Sequence, residues 1–292
     1  MTTDRTGPDA APGTGRDAAP DTATPPAVAL LTDFGLRDTY VGVLKAVIVG
    51  IAPRTPIIDL SHEVRAHDVR EGAFDLFVAY RHFPAGTVFC CVVDPGVGSS
   101  RRGVAVRLRA AGAGPYTFVG PDNGLFTAVL EGAAVEAAVS LDDEAYRLPV
   151  VSSTFHGRDV FAPAAAHLAR GVEIGRLGAA VEPESLVRLA WEPPRRTDRG
   201  WEADLIHHDQ FGNLISNLPA SALMPDLARW RVHLDSFEIG PIHHAFSDVP
   251  VGRPLAYVGS SGLLEIAVRD GRAADVLSVR KGSVVRVTPA PA

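Results

Sequence analysis

The chain has little cysteine: two residues in 292, and those two, Cys90 and Cys91, are neighbours. Side chains of adjacent strand residues point to opposite faces, so a bond between them would be strained. No cysteine spacing suits zinc either, and reduced core thiols in a cytoplasmic protein are the simplest account. No apolar run approaches the ~20 residues needed to span a bilayer, which argues against a membrane partner. The first residues lack a basic segment followed by an apolar one and do not read as a secretory signal. There is no Lys/Arg block, and the formal charge is −6, a poor match for nucleic acid. Walker A and G-x-G-x-x-G sequences are absent, as is any internal repeat. The pairs His207-His208 and His243-His244 lack a convincing ligand spacing, so no metal is assigned.

Hydrophobic residues make up 46% of the chain, enough for a sizeable core, and the length suffices for two domains. Residues 1–27 carry four acids and two bases among Pro, Ala, Gly and Thr, and read as a disordered tail. From 28 to 183 strands alternate with helices. Strands are expected at 28–32, 57–60, 87–93, 103–108 and 116–119. Helices are expected after a cap at Asp38 or Thr39, and over 69–82, 123–130 and 159–170. This is an α/β pattern: a mostly parallel sheet flanked by helices. Pro193-Pro194 and a charged run mark a linker over 184–200. Short strands split by Gly, Pro, Asp and Ser then predict a smaller all-β, barrel-like domain over 201–292, with 230–239 as one strand.

The chemistry is densest at Asp94-Pro95-Gly96-Val97-Gly98-Ser99-Ser100-Arg101-Arg102. Asp94 ends an apolar, β-branched run, and open α/β sheets bind ligands at the carboxyl ends of such strands. Arg101 is near enough in the chain to fold back onto that carboxylate; a surface turn with a structural ion pair is the plainer alternative. Asp33, at the end of the first strand, is placed either to accept bonds from a ribose diol or to cap the following helix. Phe155, His156 and Gly157 precede a helix and could form a pocket lip, although a lone histidine is more often structural. In Asp209-Gln210-Phe211-Gly212-Asn213, Phe211 could stack on a purine and Asn213 could bond its edge; Gly-Asn is also turn chemistry. Ser260 and Glu265 lie in a loop and strand that offer hydroxyls and one carboxylate.

Taken together, Thr32 to Gly35, Asp94 to Gly98 with Arg101-Arg102, and Pro121 to Leu125 resemble the S-adenosyl-L-methionine hydrolases that form adenosine. Ser153 to Asp159, Asp209 to Asn213 with Asn217, and Gly259 to Ala267 complete the resemblance, in the family's order. These enzymes, also called S-adenosylmethionine hydroxide adenosyltransferases, are related to the fluorinase and chlorinase. The resemblance implies a water-activating trio of Asp94, Arg101 and His156, a ribose-binding Asp33, and Asp38 near the methionine ammonium. It places His67 on the pocket wall, Phe155, Phe211 and Asn213 around the nucleoside, Asp209 beside them, and Ser260 and Glu265 in elements that close the site. It also implies a homotrimer with sites at subunit interfaces, S-adenosylmethionine as substrate, and no further cofactor. The halogenases are the near alternative, but a carboxylate at position 94 repels a halide and orients water. A binding protein without catalysis is the alternative of another class.

Overall fold

The computed structural model describes residues 25–190, 192–279 and 282–291; residues 1–24 of the expected tail lie outside them. Its first half runs β1 (Val28–Thr32), α1 (Tyr40–Ile51), β2 (Ile57–Ser61), α2 (Val69–Ala79), β3 (Val88–Val92), β4 (Gly103–Ala110) and β5 (Ala113–Pro121). Then follow α3 (Thr127–Leu130), β6 (Ala133–Ser140) and α4 (Ala162–Ala169). The strands form one sheet in the order β2-β1-β3-β5-β4-β6. Pairing is parallel from β2 to β5, while β4 is antiparallel to both its neighbours, so the expected α/β sheet is mixed.

Burial explains this layering. Val88, Cys90 and Val92 of β3 face a core built with Leu44 and Ile48 of α1 and the alanines of α4. Phe89 and Cys91 face the opposite core, with Leu76 of α2 and Phe118 of β5. The two cysteines therefore point apart, as alternation requires, and both are free and buried. Each large side chain so buried contributes about 2 kcal/mol from its apolar area. Helix α1 lacks a side-chain cap: Thr39 stands at its N-cap, but neither it nor Asp38 supplies one, and packing holds its buried face. In α2, by contrast, Asp68 accepts a hydrogen bond from Glu71 N at 3.0 Å.

The connection from β1 through α1 leads to β2 on one side, and the chain then crosses back through α2 to β3 on the other. Strand order thus reverses between β1 and β3, which opens a crevice at their carboxyl ends. Thr32 pairs with Val92 there, so Asp33 and Asp94 leave the sheet from adjacent strand ends.

The second half comprises β7 (Arg195–Thr197), β8 (Gly200–His208), β9 (Leu214–Pro219), β10 (Trp230–Leu234), β11 (Phe237–His243), β12 (Pro254–Val258), β13 (Leu263–Val268), α5 (Ala273–Val276) and β14 (Val284–Pro289). Strands β8 to β14 close into a seven-stranded barrel because β14 pairs with both β10 and β8; β7 adds to β8 outside the ring. The single strand expected over 230–239 is two, β10 and β11, which turn back at Asp235 with φ +52°. Helix α2 seats the barrel on the first sheet: Phe74 packs with Ile215 and Leu263, and its ring stacks on His207 at 4.7 Å. No helix among the described residues is long and apolar enough to cross a membrane.

Candidate active site

Asp94 stands two residues beyond β3. The turn after it is fixed by Val97 N donating to Asp94 O (3.2 Å) and Ser99 N donating to Gly96 O (3.1 Å). Gly98 sits at φ +78°, and a Cβ there would run into the backbone carbonyl of Ser153. Only glycine lets this loop lie against the segment that carries His156. Arg101 then turns its guanidinium back. Its Nε donates to Asp94 Oδ1 at 2.9 Å, its Nη2 donates to Asp94 Oδ2, and Nη2 also reaches His156 Nδ1 at 2.8 Å. The Asp94 and Arg101 side chains are 5% and 12% exposed. The guanidinium also lies over the Phe161 ring, 5.1 Å from its centroid.

These contacts settle the histidine's chemistry. A guanidinium can only donate, so Nδ1 of His156 accepts and the ring hydrogen sits on Nε2. Burial, and then the charge of Arg101, hold the His156 pKa below its ordinary value, against an opposing pull from Asp94. His156 directly precedes a π-helical turn, Gly157–Phe161, that runs into α4 two residues ahead of the expected helix start. Within that turn Asp159 is fully buried and accepts from Ser152 N (2.8 Å) and from Arg158 Nε (2.6 Å). The lip of the pocket is thereby anchored by a charged group that solvent does not reach.

A cavity of about 330 Å³ opens on Asp94 and His156 and is walled by Phe34, Tyr40, Val97 and Phe155. The three aromatic rings meet edge to face at 5.3 to 5.9 Å. Asp33 precedes Phe34 of this wall in the chain but does not itself line the cavity; its Oδ2 accepts from His67 N at 2.8 Å, and His67, which does not line it either, is exposed with φ +68°. Asp38 is exposed and lines neither this cavity nor the one described next. Phe34 sits inside the Thr32 to Gly35 motif, but nothing in the sequence singles out Tyr40.

The barrel residues assemble elsewhere. Asp209, Phe211, Asn213, Ser260 and Glu265 line a second cavity of about 940 Å³. Asn213 gives both its backbone N and its Nδ2 to Asp209, each at 2.9 Å, so one amide hydrogen and the amide oxygen remain for a ligand. Phe211 is 67% exposed. Glu265 accepts from Tyr257 Oη at 2.5 Å, and burial raises its pKa. Asp75 of α2 also faces this cavity; burial and then Glu71 push its carboxyl up to about 7. Sequence reasoning passed over Tyr257 and Asp75, since one tyrosine in a strand and one acid on a helix carry no motif. Within one chain the structure joins Asp94, Arg101, His156 and Phe155, and separately the five barrel residues, but it does not bring the two groups into one cavity. Among the described residues no group of three His, Cys, Asp or Glu is arranged to hold a metal ion.

The site can be set beside known proteins. The model of the SAM hydroxide adenosyltransferase N-terminal domain matches residues 28–178, and that of the C-terminal domain matches 203–286. The chain is 41% identical to the (R)-S-adenosyl-L-methionine hydrolase of Thermus thermophilus, covering 89% of this chain and 98% of that protein. It is 42% identical to the enzyme of that name from Salinispora tropica, over 91% and 99% of the two chains. A fluorinase from an Actinoplanes species is more distant, at 29% identity over 91% of this chain and 98% of that protein. Among solved structures, an uncharacterized conserved protein from Thermotoga maritima superposes with a TM-score of 0.82 at 37% identity, covering 89% of this chain and 99% of that one.

Proposed function

The chain belongs to the SAM hydroxide adenosyltransferase family, and from that premise we propose that it hydrolyses S-adenosyl-L-methionine to adenosine and L-methionine. Water attacks C5′ in line, and methionine leaves as a neutral thioether. Because the sulfonium already carries the positive charge, the leaving group needs little assistance, and the work falls on placing the water and removing its proton. Asp94 accepts that proton while Nε2–H of His156 donates to the water oxygen, which turns a lone pair toward the carbon. Arg101 holds both partners in register. Fixing the nucleophile in this way supplies several kcal/mol of the barrier by positioning alone. The observation that carries the reading is the fork of Arg101 on Asp94 with its third contact on His156, beside a cavity walled by three aromatic rings.

Asp33 serves the ribose diol in this reading, Phe155 and Phe211 the adenine faces, and Asn213 the purine edge. Asp38, His67, Asp209, Ser260 and Glu265 complete the walls. The chain divides into an α/β half over 28–183 and a barrel half from 201, joined through 184–200, and each half contributes one wall. The separate cavities of a single chain support a homo-oligomer in which the α/β half of one copy faces the barrel of the next, and the family resemblance implies that it is a trimer. Leu36 and Tyr40 near one cavity, and Phe211 and Phe246 at the other, are exposed apolar groups suited to that contact. Two buried free thiols suit a cytoplasmic protein.

The test is direct. Purified protein incubated with S-adenosylmethionine should release adenosine and methionine in equal amounts, unchanged by chelator or by added chloride or fluoride. A 5′-halo-adenosine would favour the halogenase reading, tight binding without turnover a binding protein, and loss of activity with chelator a metal enzyme.

A further inference from the structure

A chain of polar contacts lies beneath the Asp33 turn and takes no part in the trio. Lys45 Nζ donates to Asp59 Oδ2 at 2.6 Å. The other oxygen of Asp59 is 3.1 Å from Nε2 of His62, within ion-pair range though off the line of a hydrogen bond. His62 Nδ1 lies 2.8 Å from Thr32 Oγ1, and that oxygen accepts the N–H of Phe34 at 3.3 Å. Gly35 N donates to His62 O at 2.7 Å. A carboxylate can only accept, so Nε2, which faces it, carries the ring hydrogen, and Nδ1 is left to receive the Thr32 hydroxyl. The donors at Phe34 N, Thr32 Oγ1 and His62 Nε2 then all point the same way, from the turn toward the exposed acid, which Lys45 meets from the other side.

An acid, an imidazole and a hydroxyl in sequence have the order of a hydrolytic relay. Thr32, however, is 0% exposed and His62 3%, so this hydroxyl meets no substrate. What it reaches is the backbone N–H of Phe34, in the turn that carries Asp33. We propose that His62 is a positioning residue for nucleoside binding: through Thr32 it fixes the 32–35 turn so that Asp33 presents its carboxylate to the ribose diol. The turn is pinned at three points, by the imidazole on Thr32, by the His62 carbonyl on Gly35, and by His67 N on Asp33 itself. All three pins come from the segment that follows β2. The inference rests on the hydrolase reading above and adds to it the group that holds the ribose ligand in place.

Thr32→Val tests it, since valine keeps the shape and removes the hydroxyl. Binding of adenosine and of 2′,3′-dideoxyadenosine is measured by titration calorimetry, together with steady-state hydrolysis. Adenosine affinity should fall about tenfold, the loss of one hydrogen bond to a charged group, while dideoxyadenosine affinity stays unchanged. KM should rise by the same factor with kcat within about threefold, because ribose contacts serve substrate and transition state alike. His62→Asn should give the same split. A lowered melting temperature with unchanged adenosine affinity, or equal losses for both nucleosides, overturns the proposal. Should the buried variants fail to fold, Asp59→Asn at the exposed end reads out the same difference between nucleosides, and an unchanged adenosine affinity there is equally fatal. Wild-type protein that neither binds adenosine nor forms it overturns the hydrolase reading and this inference with it. Wild-type protein that does both, with variants that match it, overturns the positioning role alone.

Discussion

Arg101 divides one planar guanidinium between two partners, a two-pronged grip that a lysine ammonium does not reproduce. Its Nε and Nη2 span both oxygens of Asp94 while Nη2 also meets His156. Arg101→Lys keeps the charge but replaces a planar fork with a point, so acid and imidazole lose their common reference. Turnover should drop about a hundredfold, the cost of a misplacement near 1 Å, with adenosine affinity unchanged; stopped assays and calorimetry on the same preparation would check this. The pH profile of the wild type follows from the same contact. Protonating Nδ1 would set it, now a donor, against the donors of Arg101, so the active imidazole is neutral. Since burial and Arg101 lower its pKa, kcat/KM should hold through the ordinary histidine range and fall only as pH drops below it. At this scale the sequence was legible where partners share a loop: Asp94 and Arg101 are seven residues apart. His156 lies 55 residues beyond Arg101 and joined them only through the family resemblance. The pairing of Thr32 with His62 left no trace, because a histidine after a strand looks the same whether it is buried or not.

Elements were legible where an unbroken apolar run marked a buried strand, as in β1 and β3, or helical spacing marked a face, as in α1. Strand β6 gives no strand signal because half of Ala133 to Ser140 is alanine, a helix former, and it is held as a strand by its antiparallel pairing with β4. The sequence marks β4 and β5 as strands but not their antiparallel hairpin, which Gly112 closes at φ +74°. The π-helical turn after His156 has no sequence signal at all; it exists where the α4 register meets the pocket. Helix α2 carries its own consequence. Asp75 titrates near 7 in the folded chain against an ordinary 3.8, so the native state binds the extra proton between those values. Its contribution to stability is therefore present at low pH and lost as pH rises through about 7. Asp75→Asn should raise the melting temperature by a few degrees at pH 8 and much less at pH 5, as scanning calorimetry in the two buffers would show.

At the scale of the whole molecule, the sequence separated an α/β half from a β half, and the curated relatives cover both. It could not say that the two sets of site residues open into different cavities, since that depends on how α2 seats the barrel through Phe74. The arrangement makes a prediction that activity alone can read. Asp94→Ala and Asn213→Ala should each be inactive, yet co-expressed chains should regain roughly a quarter of the wild-type rate. That is the fraction of interfaces pairing an intact α/β half with an intact barrel when copies assort at random. If one chain built the whole site, mixing would restore nothing. The ring of strands has a further consequence for how the protein is made. Because β14 bonds to β8 on one side and β10 on the other, the cylinder stays open along both seams until its final stave has been synthesised. The earlier sheet has all its strands by Ser140, so during translation the half that carries Asp94, Arg101 and His156 can mature while the half that would face a neighbouring copy is still waiting.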